Sequence, residues 1–152
     1  FIGWRGPPNL RLSKQNDNLR IVTSDYTTSE PEHKLSILGQ QGNQLNVLAT
    51  LPNNTYPEHI GKPGEDIFAV RFFGDKGYIV TFERIDPLYV LDLANPNDPK
   101  VLGTLEIPGF SSYLHPLDNG YLLGVGQQVN VNIIPEYGEV IVEPVTHEGM
   151  KV

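Results

Sequence analysis

Residues 67–107 read IFAVRFFGDKGYIVTFERIDPLYVLDLANPNDPKVLGTLEI, and this stretch decides the fold class. Four apolar runs of strand length follow one another in it, and turn-forming residues separate them. The runs are residues 67–73, 78–82, 88–93 and 100–106. Two prolines and two asparagines within residues 95–99 form the turn before the last run and exclude a helix there. The stretch therefore predicts a four-stranded antiparallel sheet joined by tight turns.

The same order of runs occurs once upstream. Residues 35–38 (LSIL) superpose on residues 88–91 (LYVL) with a spacing of 53 residues. The next run superposes on its counterpart, VLATL on VLGTL, with a spacing of 54 residues. Two segments that agree to within one residue indicate a repeat. The predicted units are a first sheet over residues 9–52, a connector over residues 53–66 and a second sheet over residues 67–107.

A third unit begins downstream, where Gly120-Tyr121 repeats Gly77-Tyr78 after 43 residues. We predict an incomplete unit over residues 108–152, with an inserted hairpin at about 129–143. A repeat of roughly 40–45 residues with four strands is the period of a β-propeller. The fold class is therefore predicted to be all-β, a partial β-propeller of two four-stranded antiparallel blades plus an incomplete third. Because propeller rings close with roughly 4–8 blades, we expect a fragment whose partner is the rest of its own propeller.

The composition narrows the choice of partners. The chain has 152 residues with 15 Gly and 13 Pro, which is too many helix breakers for a helical bundle. Its formal net charge of −7 disfavours nucleic acid and anionic membranes. No apolar run approaches the roughly 18 residues of a transmembrane segment. The absence of Cys excludes disulfides, Cys-based zinc sites and thiol nucleophiles, and we expect no cofactor.

Three segments of the chain carry a family resemblance. They are residues 86–93 (DPLYVLDL), 99–103 (PKVLG) and 107–117 (IPGFSSYLHPL). With them, residues 66–126 resemble the bacterial and archaeal secreted beta-propeller domain family, which is distantly related to WD-40 repeats. The resemblance is weaker but in register over residues 9–52. It implies a secreted or cell-envelope protein, and it supplies no catalytic residues.

The candidate binding residues lie in the predicted first strands of the three units, which line the central channel of a propeller. They are Arg11, Arg71, Tyr113 and His115. Arg11 and Arg71 are interpreted as occupying equivalent places. Such a pair would offer positive charge to an anionic ligand, or it would pair with an acid of the neighbouring blade.

A nucleophilic set is one alternative use of the same region. Ser111 or Ser112 with His115 and Asp118 contains the residue types of a catalytic triad. All members lie within eight residues, however, and the sequence lacks the Gly-x-Ser-x-Gly elbow that exposes a nucleophile. We therefore interpret this segment as a loop whose polar groups satisfy its own backbone.

Two sets of oxygen-bearing side chains have similar competing interpretations. A calcium ligand set would comprise Asp92, Asn95, Asn97 and Asp98. The glycine and closing glutamate of an EF-hand loop are missing, and turn formation explains the same residues. A general acid and base of the glycosidase type would come from Glu58, Glu65, Asp66, Glu83 and Asp86. Otherwise these acids form a solvated surface.

The functional hypothesis is a non-catalytic binding or scaffold module of a secreted or cell-envelope β-propeller protein, with an unknown protein or small ligand. The alternative is part of a propeller hydrolase that acts on sugars or esters with acidic residues at the channel mouth. That alternative requires acids or histidines to recur in equivalent loops, and none does so. A third hypothesis is a β-sandwich that dimerises through its open faces.

Overall fold

The structure is a computed structural model that describes residues 2–3, 10–82, 86–107, 110–117, 121–127, 129–134 and 139–144. These residues form thirteen β-strands. Among them, no helix has the length and apolar character required to cross a lipid bilayer. The predictions for Glu83 and Asp118 lie outside the described residues.

The first sheet contains five strands. They are β1 (Ile2–Gly3), β2 (Leu12–Gln15), β3 (Asn18–Asp25), β4 (Glu32–Gln41) and β5 (Gln44–Leu51). The order is β1-β3-β4-β5, and β2 also pairs with β3. Gln15 pairs with Asn18 at one end of β3 and Ile2 pairs with Asp25 at the other, so β1 and β2 share its inner edge. β1 precedes the predicted boundary at residue 9, because two residues are too few for a periodic pattern.

The second sheet is a four-stranded antiparallel meander. Its strands are β6 (Asp66–Phe73), β7 (Lys76–Phe82), β8 (Asp86–Asp92) and β9 (Lys100–Ile107), in the order β6-β7-β8-β9. The β6–β7 turn uses Gly74 at φ 51°, a left-handed conformation that side chains with a Cβ rarely adopt. The predicted chain of tight turns therefore has its expected backbone chemistry.

Two hairpins follow the second sheet. Strand β10 (Phe110–Pro116) pairs with β11 (Leu122–Gln127), and β12 (Val129–Ile134) pairs with β13 (Glu139–Pro144). Strands β10 and β11 are the first two strands of a third blade. The second hairpin forms a two-stranded sheet of its own.

The strand registers carry the same spacings as the sequence repeat. Leu35 in β4 pairs with Leu51 in β5, and Leu88 in β8 pairs with Leu105 in β9. The first members of these pairs are 53 residues apart, and the second members are 54 residues apart. The two sheets are therefore successive copies of one unit.

The sheets stack face to face. On β7, Ile79 belongs to a buried cluster with Leu35 of the first sheet, whereas the next residue, Val80, packs with Leu114 of β10. Consecutive strand residues point to opposite faces, so the second sheet is covered on both sides. This arrangement is that of propeller blades, and it confirms the predicted all-β, partial β-propeller of four-stranded antiparallel blades. We call the three units blades 1, 2 and 3.

Candidate functional site

Three of the four predicted binding residues lie together where blade 2 meets blade 3. Arg71 extends from β6, and Tyr113 and His115 extend from β10. The Arg71 guanidinium carbon lies 4.6 Å from the centroid of the Tyr113 ring. The Tyr113 and His115 rings stack with centroids 6.2 Å apart, and the Tyr113 hydroxyl lies 3.3 Å from His115 Nδ1. We call these three residues the first-strand cluster.

Strand geometry explains why these side chains meet. Tyr113 and His115 are two residues apart on β10, so they share one face, while Leu114 between them is buried against blade 2. Arg71 Nε donates to the Leu114 carbonyl at 2.7 Å, which ties the guanidinium to the backbone of β10. Tyr113 is 41% exposed, and His115 is also exposed. A partner can therefore reach the cluster.

Arg11 lies apart from this cluster and is only 4% exposed. Its Nη1 donates to Ser24 Oγ at 3.1 Å, and its Nη2 donates to the Ile67 carbonyl of blade 2 at 3.0 Å. Burial lowers the pKa of Arg11, whereas the nearby Tyr26 and Asp66 raise it. Arg11 therefore joins blade 1 to blade 2 from a buried position.

The interpretation of Arg11 and Arg71 as equivalent is wrong. Val22 and Val80 are equivalent, because each pairs with the leucine that the repeat superposes. Val22 donates its N–H to the Arg11 carbonyl at 2.9 Å, whereas Val80 pairs with Ala69. Arg11 therefore corresponds to Ala69. The reason is that the first strand of blade 1 is split into β1 and β2, so its sequence offset differs from that of the other strands.

The sequence interpretation missed Arg20 of β3, which also crosses between blades. Its Nη1 donates to the Gly74 carbonyl at 2.7 Å and its Nη2 donates to Ser13 Oγ at 2.8 Å. Its guanidinium carbon lies 4.9 Å from the centroid of the Phe72 ring. Arg11, Arg20 and Arg71 thus each donate to a backbone carbonyl of the next blade, and we call them the interblade arginines.

A buried polar chain that the sequence analysis did not predict extends from Arg11. Ser24 Oγ lies 2.8 Å from His33 Nδ1, and His33 Nε2 lies 2.8 Å from the Glu65 carbonyl. Because a carbonyl only accepts, His33 Nε2 carries the proton, and the neutral ring accepts from Ser24 at Nδ1. Burial lowers the pKa of His33. The alternation of β4 gives a signal for it, since His33 shares the inward face with Leu35.

The predicted acids do not converge on an open site. Glu65 is 3% exposed, and its Oε2 accepts from Thr81 Oγ1 at 2.6 Å and from the Lys62 N–H at 2.9 Å. Asp66 Oδ1 accepts from the Tyr26 hydroxyl at 2.7 Å. These carboxylates hold the connector and β6 in place. The side chain of Asp86 is not among those that the structure describes.

The residues considered as calcium ligands form turns. Asp92 Oδ1 accepts from the Ala94 N–H, and Asn95 Oδ1 accepts from the Asn97 N–H, both at 3.1 Å. Asp92 also pairs with Lys76 at 3.4 Å. Across the residues that the structure describes, no group of three or more His, Cys, Asp or Glu side chains has the arrangement of a metal site.

The stacked four-stranded sheets agree with a comparison at the family level. The family described as the beta propeller domain matches residues 9–152. The chain belongs to the beta propeller domain family. The match includes both complete blades and the first-strand cluster.

Two archaeal relatives of this beta propeller domain are both uncharacterised proteins. The protein from Methanocaldococcus jannaschii is 61% identical over 119 residues, which is 78% of this chain and 18% of the relative. The protein from Archaeoglobus fulgidus is 61% identical over 117 residues, which is 77% of this chain and 17% of the relative. The chain thus spans less than a fifth of the length of these curated relatives. No solved structure matches it.

A groove of about 380 Å³ lies at the connector end of the beta propeller domain. The β3–β4 loop forms one wall with Glu30 and Glu32, and the connector forms the other wall with His59 and Lys62. These four side chains are exposed, so water solvates their charges. The groove therefore has less fixed polar geometry than the first-strand cluster.

Proposed function

We propose that this chain is part of a non-catalytic binding or scaffold module in a secreted or cell-envelope β-propeller protein. Its ligand would bind at the first-strand cluster. The observation that carries the proposal is the convergence of a half-buried arginine with two exposed, stacked rings from the neighbouring blade. Aromatic and arginine side chains that are held in position are characteristic of binding sites.

The proposed site is fixed before any ligand arrives. Arg71 Nε is bonded to the Leu114 carbonyl, and the guanidinium lies over the Tyr113 ring. Leu114 is buried with Ala69 and Val80, which anchors β10 against blade 2. Side chains on packed strands lose little conformational entropy when they bind, and this favours recognition.

The absence of catalysis is proposed because the buried acid and base have structural partners. His33 is bonded on both ring nitrogens, and Glu65 accepts two hydrogen bonds. Neither is presented to a substrate. A general acid or base must lie within hydrogen-bond distance of a reacting group.

The proposed location follows the family resemblance, and cell fractionation of the full-length protein tests it. Recovery with the envelope or the medium is expected. Recovery only with the cytosol would contradict it.

Native mass spectrometry of the full-length protein tests the binding role. We expect a small molecule that dissociates on denaturation and is lost in Tyr113→Ala and His115→Ala. Tyr121→Ala is the matched control, because Tyr121 is 68% exposed, precedes β11 in the same blade and has no contact with the cluster. Equal ligand retention in all three variants would contradict a site at the first-strand cluster. Chemical turnover of the retained ligand would contradict a non-catalytic role.

A further inference from the structure

The three interblade arginines differ in how many donors they leave for a ligand. Arg11 and Arg20 each use both Nη groups within the protein. Arg71 uses only Nε, on the Leu114 carbonyl. Within the part of the chain that the structure describes, its two Nη groups have no hydrogen-bond partner, and neither is buried. Arg71 therefore presents four N–H donors to solvent.

The guanidinium of Arg71 is also held in one orientation. The hydrogen bond from Nε fixes one edge of the plane, and the Tyr113 ring 4.6 Å away covers one of its faces. What remains free is the opposite edge, where the two Nη groups form a planar fork. Such a fork matches the two oxygens of a carboxylate, and the pair forms two parallel hydrogen bonds.

The surrounding charge selects the kind of anion. Among the described residues, no acidic side chain forms an ion pair with Arg71, so its positive charge lacks a close counter-ion. The chain as a whole carries a formal net charge of −7, which repels polyanions. One guanidinium charge balances one carboxylate charge.

We infer that the first-strand cluster binds a small carboxylate ligand, whose two oxygens are held by the free Nη groups of Arg71 beside the Tyr113 and His115 rings. This inference rests on the proposed function and adds the chemical class of the ligand. The rings flank the bound carboxylate and provide apolar surface for the rest of a small molecule.

Thermal melting of the full-length protein in sodium salts tests the inference. The probes are succinate, phosphate and chloride at matched ionic strength. We expect succinate to raise the melting temperature in a saturable manner and chloride to leave it unchanged, because a ligand that binds only the native state stabilises that state. Arg71→Met should weaken the apparent affinity for succinate at least tenfold, and Arg71→Lys should weaken it several-fold through loss of the fork.

The matched control is Lys14→Met, which removes the same charge from an exposed position on β2, the first strand of blade 1. Its affinity for succinate should equal that of the unmodified protein. Because Arg71 also supports the interblade contact, the ligand-induced shift is compared rather than the melting temperature itself. Saturable stabilisation by phosphate without succinate, or an unchanged succinate affinity in Arg71→Met, would overturn the inference. Retention of a neutral or cationic ligand that depends on Tyr113 and His115 would overturn it while sustaining the proposed function.

Discussion

Replacing Arg11 should destabilise the protein far more than replacing Arg71, although the sequence suggests that the two are alike. Arg11→Met removes the donors to Ser24 Oγ and to the Ile67 carbonyl in a buried position. A buried acceptor that loses its donor costs about 1–3 kcal/mol. Two such losses, partly offset because a buried charge disappears, give an expected cost of about 3 kcal/mol.

Arg71→Met is the matched comparison. It removes one hydrogen bond, to the Leu114 carbonyl, and one cation–π contact with an exposed ring. Such a hydrogen bond contributes about 1 kcal/mol. An exposed cation–π pair adds about 0.5–1 kcal/mol. Methionine keeps much of the apolar stem, so the expected cost is about 1.5 kcal/mol, half that of Arg11→Met.

The measurement is urea unfolding of the full-length protein, followed by circular dichroism. Hydrogen exchange of the peptides that contain β3 and β6 reports local opening of the blade 1–blade 2 contact. Arg11→Met should accelerate exchange in both strands, and Arg71→Met should leave exchange in β3 unchanged. A loss of stability in Arg11→Met no larger than that in Arg71→Met would refute the reasoning that burial distinguishes them.

Two further predictions concern His33 and its surroundings. The pKa of His33 is lowered below its ordinary 6.5, so its stabilising contribution is complete above pH 6.5 and is lost as the pH falls through the folded-state pKa. Between pH 7 and 5, the fall in the urea midpoint should be smaller in His33→Gln and unchanged in His59→Gln, whose histidine is exposed. Gly61→Ala should cost about 1–2 kcal/mol by thermal unfolding, because φ is +90° and the added Cβ would lie 3.1 Å from His33. Gly103→Ala, with nothing within 4 Å, should change stability by less than about 0.5 kcal/mol; an equal loss in both glycine variants would contradict the strain argument.

The blades were predictable because apolar periodicity and turn chemistry agree along the second sheet. Residues 67–107 alternate between two covered faces, which Ile79 and Val80 demonstrate by packing in different clusters. The 53- and 54-residue spacings survive as strand registers, since pairing preserves the order of inward and outward residues. The short strand β1 was not predictable, because two residues carry no period.

The candidate site was predictable only in part, because sequence pattern cannot indicate what a polar side chain meets in a neighbouring blade. Arg71, Tyr113 and His115 were chosen from their strand positions, and the structure brings them together. Arg11 was chosen on the same grounds and is buried. Arg20 was missed, since its partners depend on how blade 2 lies against blade 1.

The interblade arginines make sequence tolerance one-sided. Each donor is a particular side chain, but each acceptor is a main-chain carbonyl, at Ile67, Gly74 or Leu114. Every amino acid supplies that carbonyl, so the accepting blade can exchange its side chains there and keep the hydrogen bond. Chimeric propellers should therefore tolerate a foreign blade behind a native donor blade better than the reverse, because the donated contact needs only a backbone in the right place.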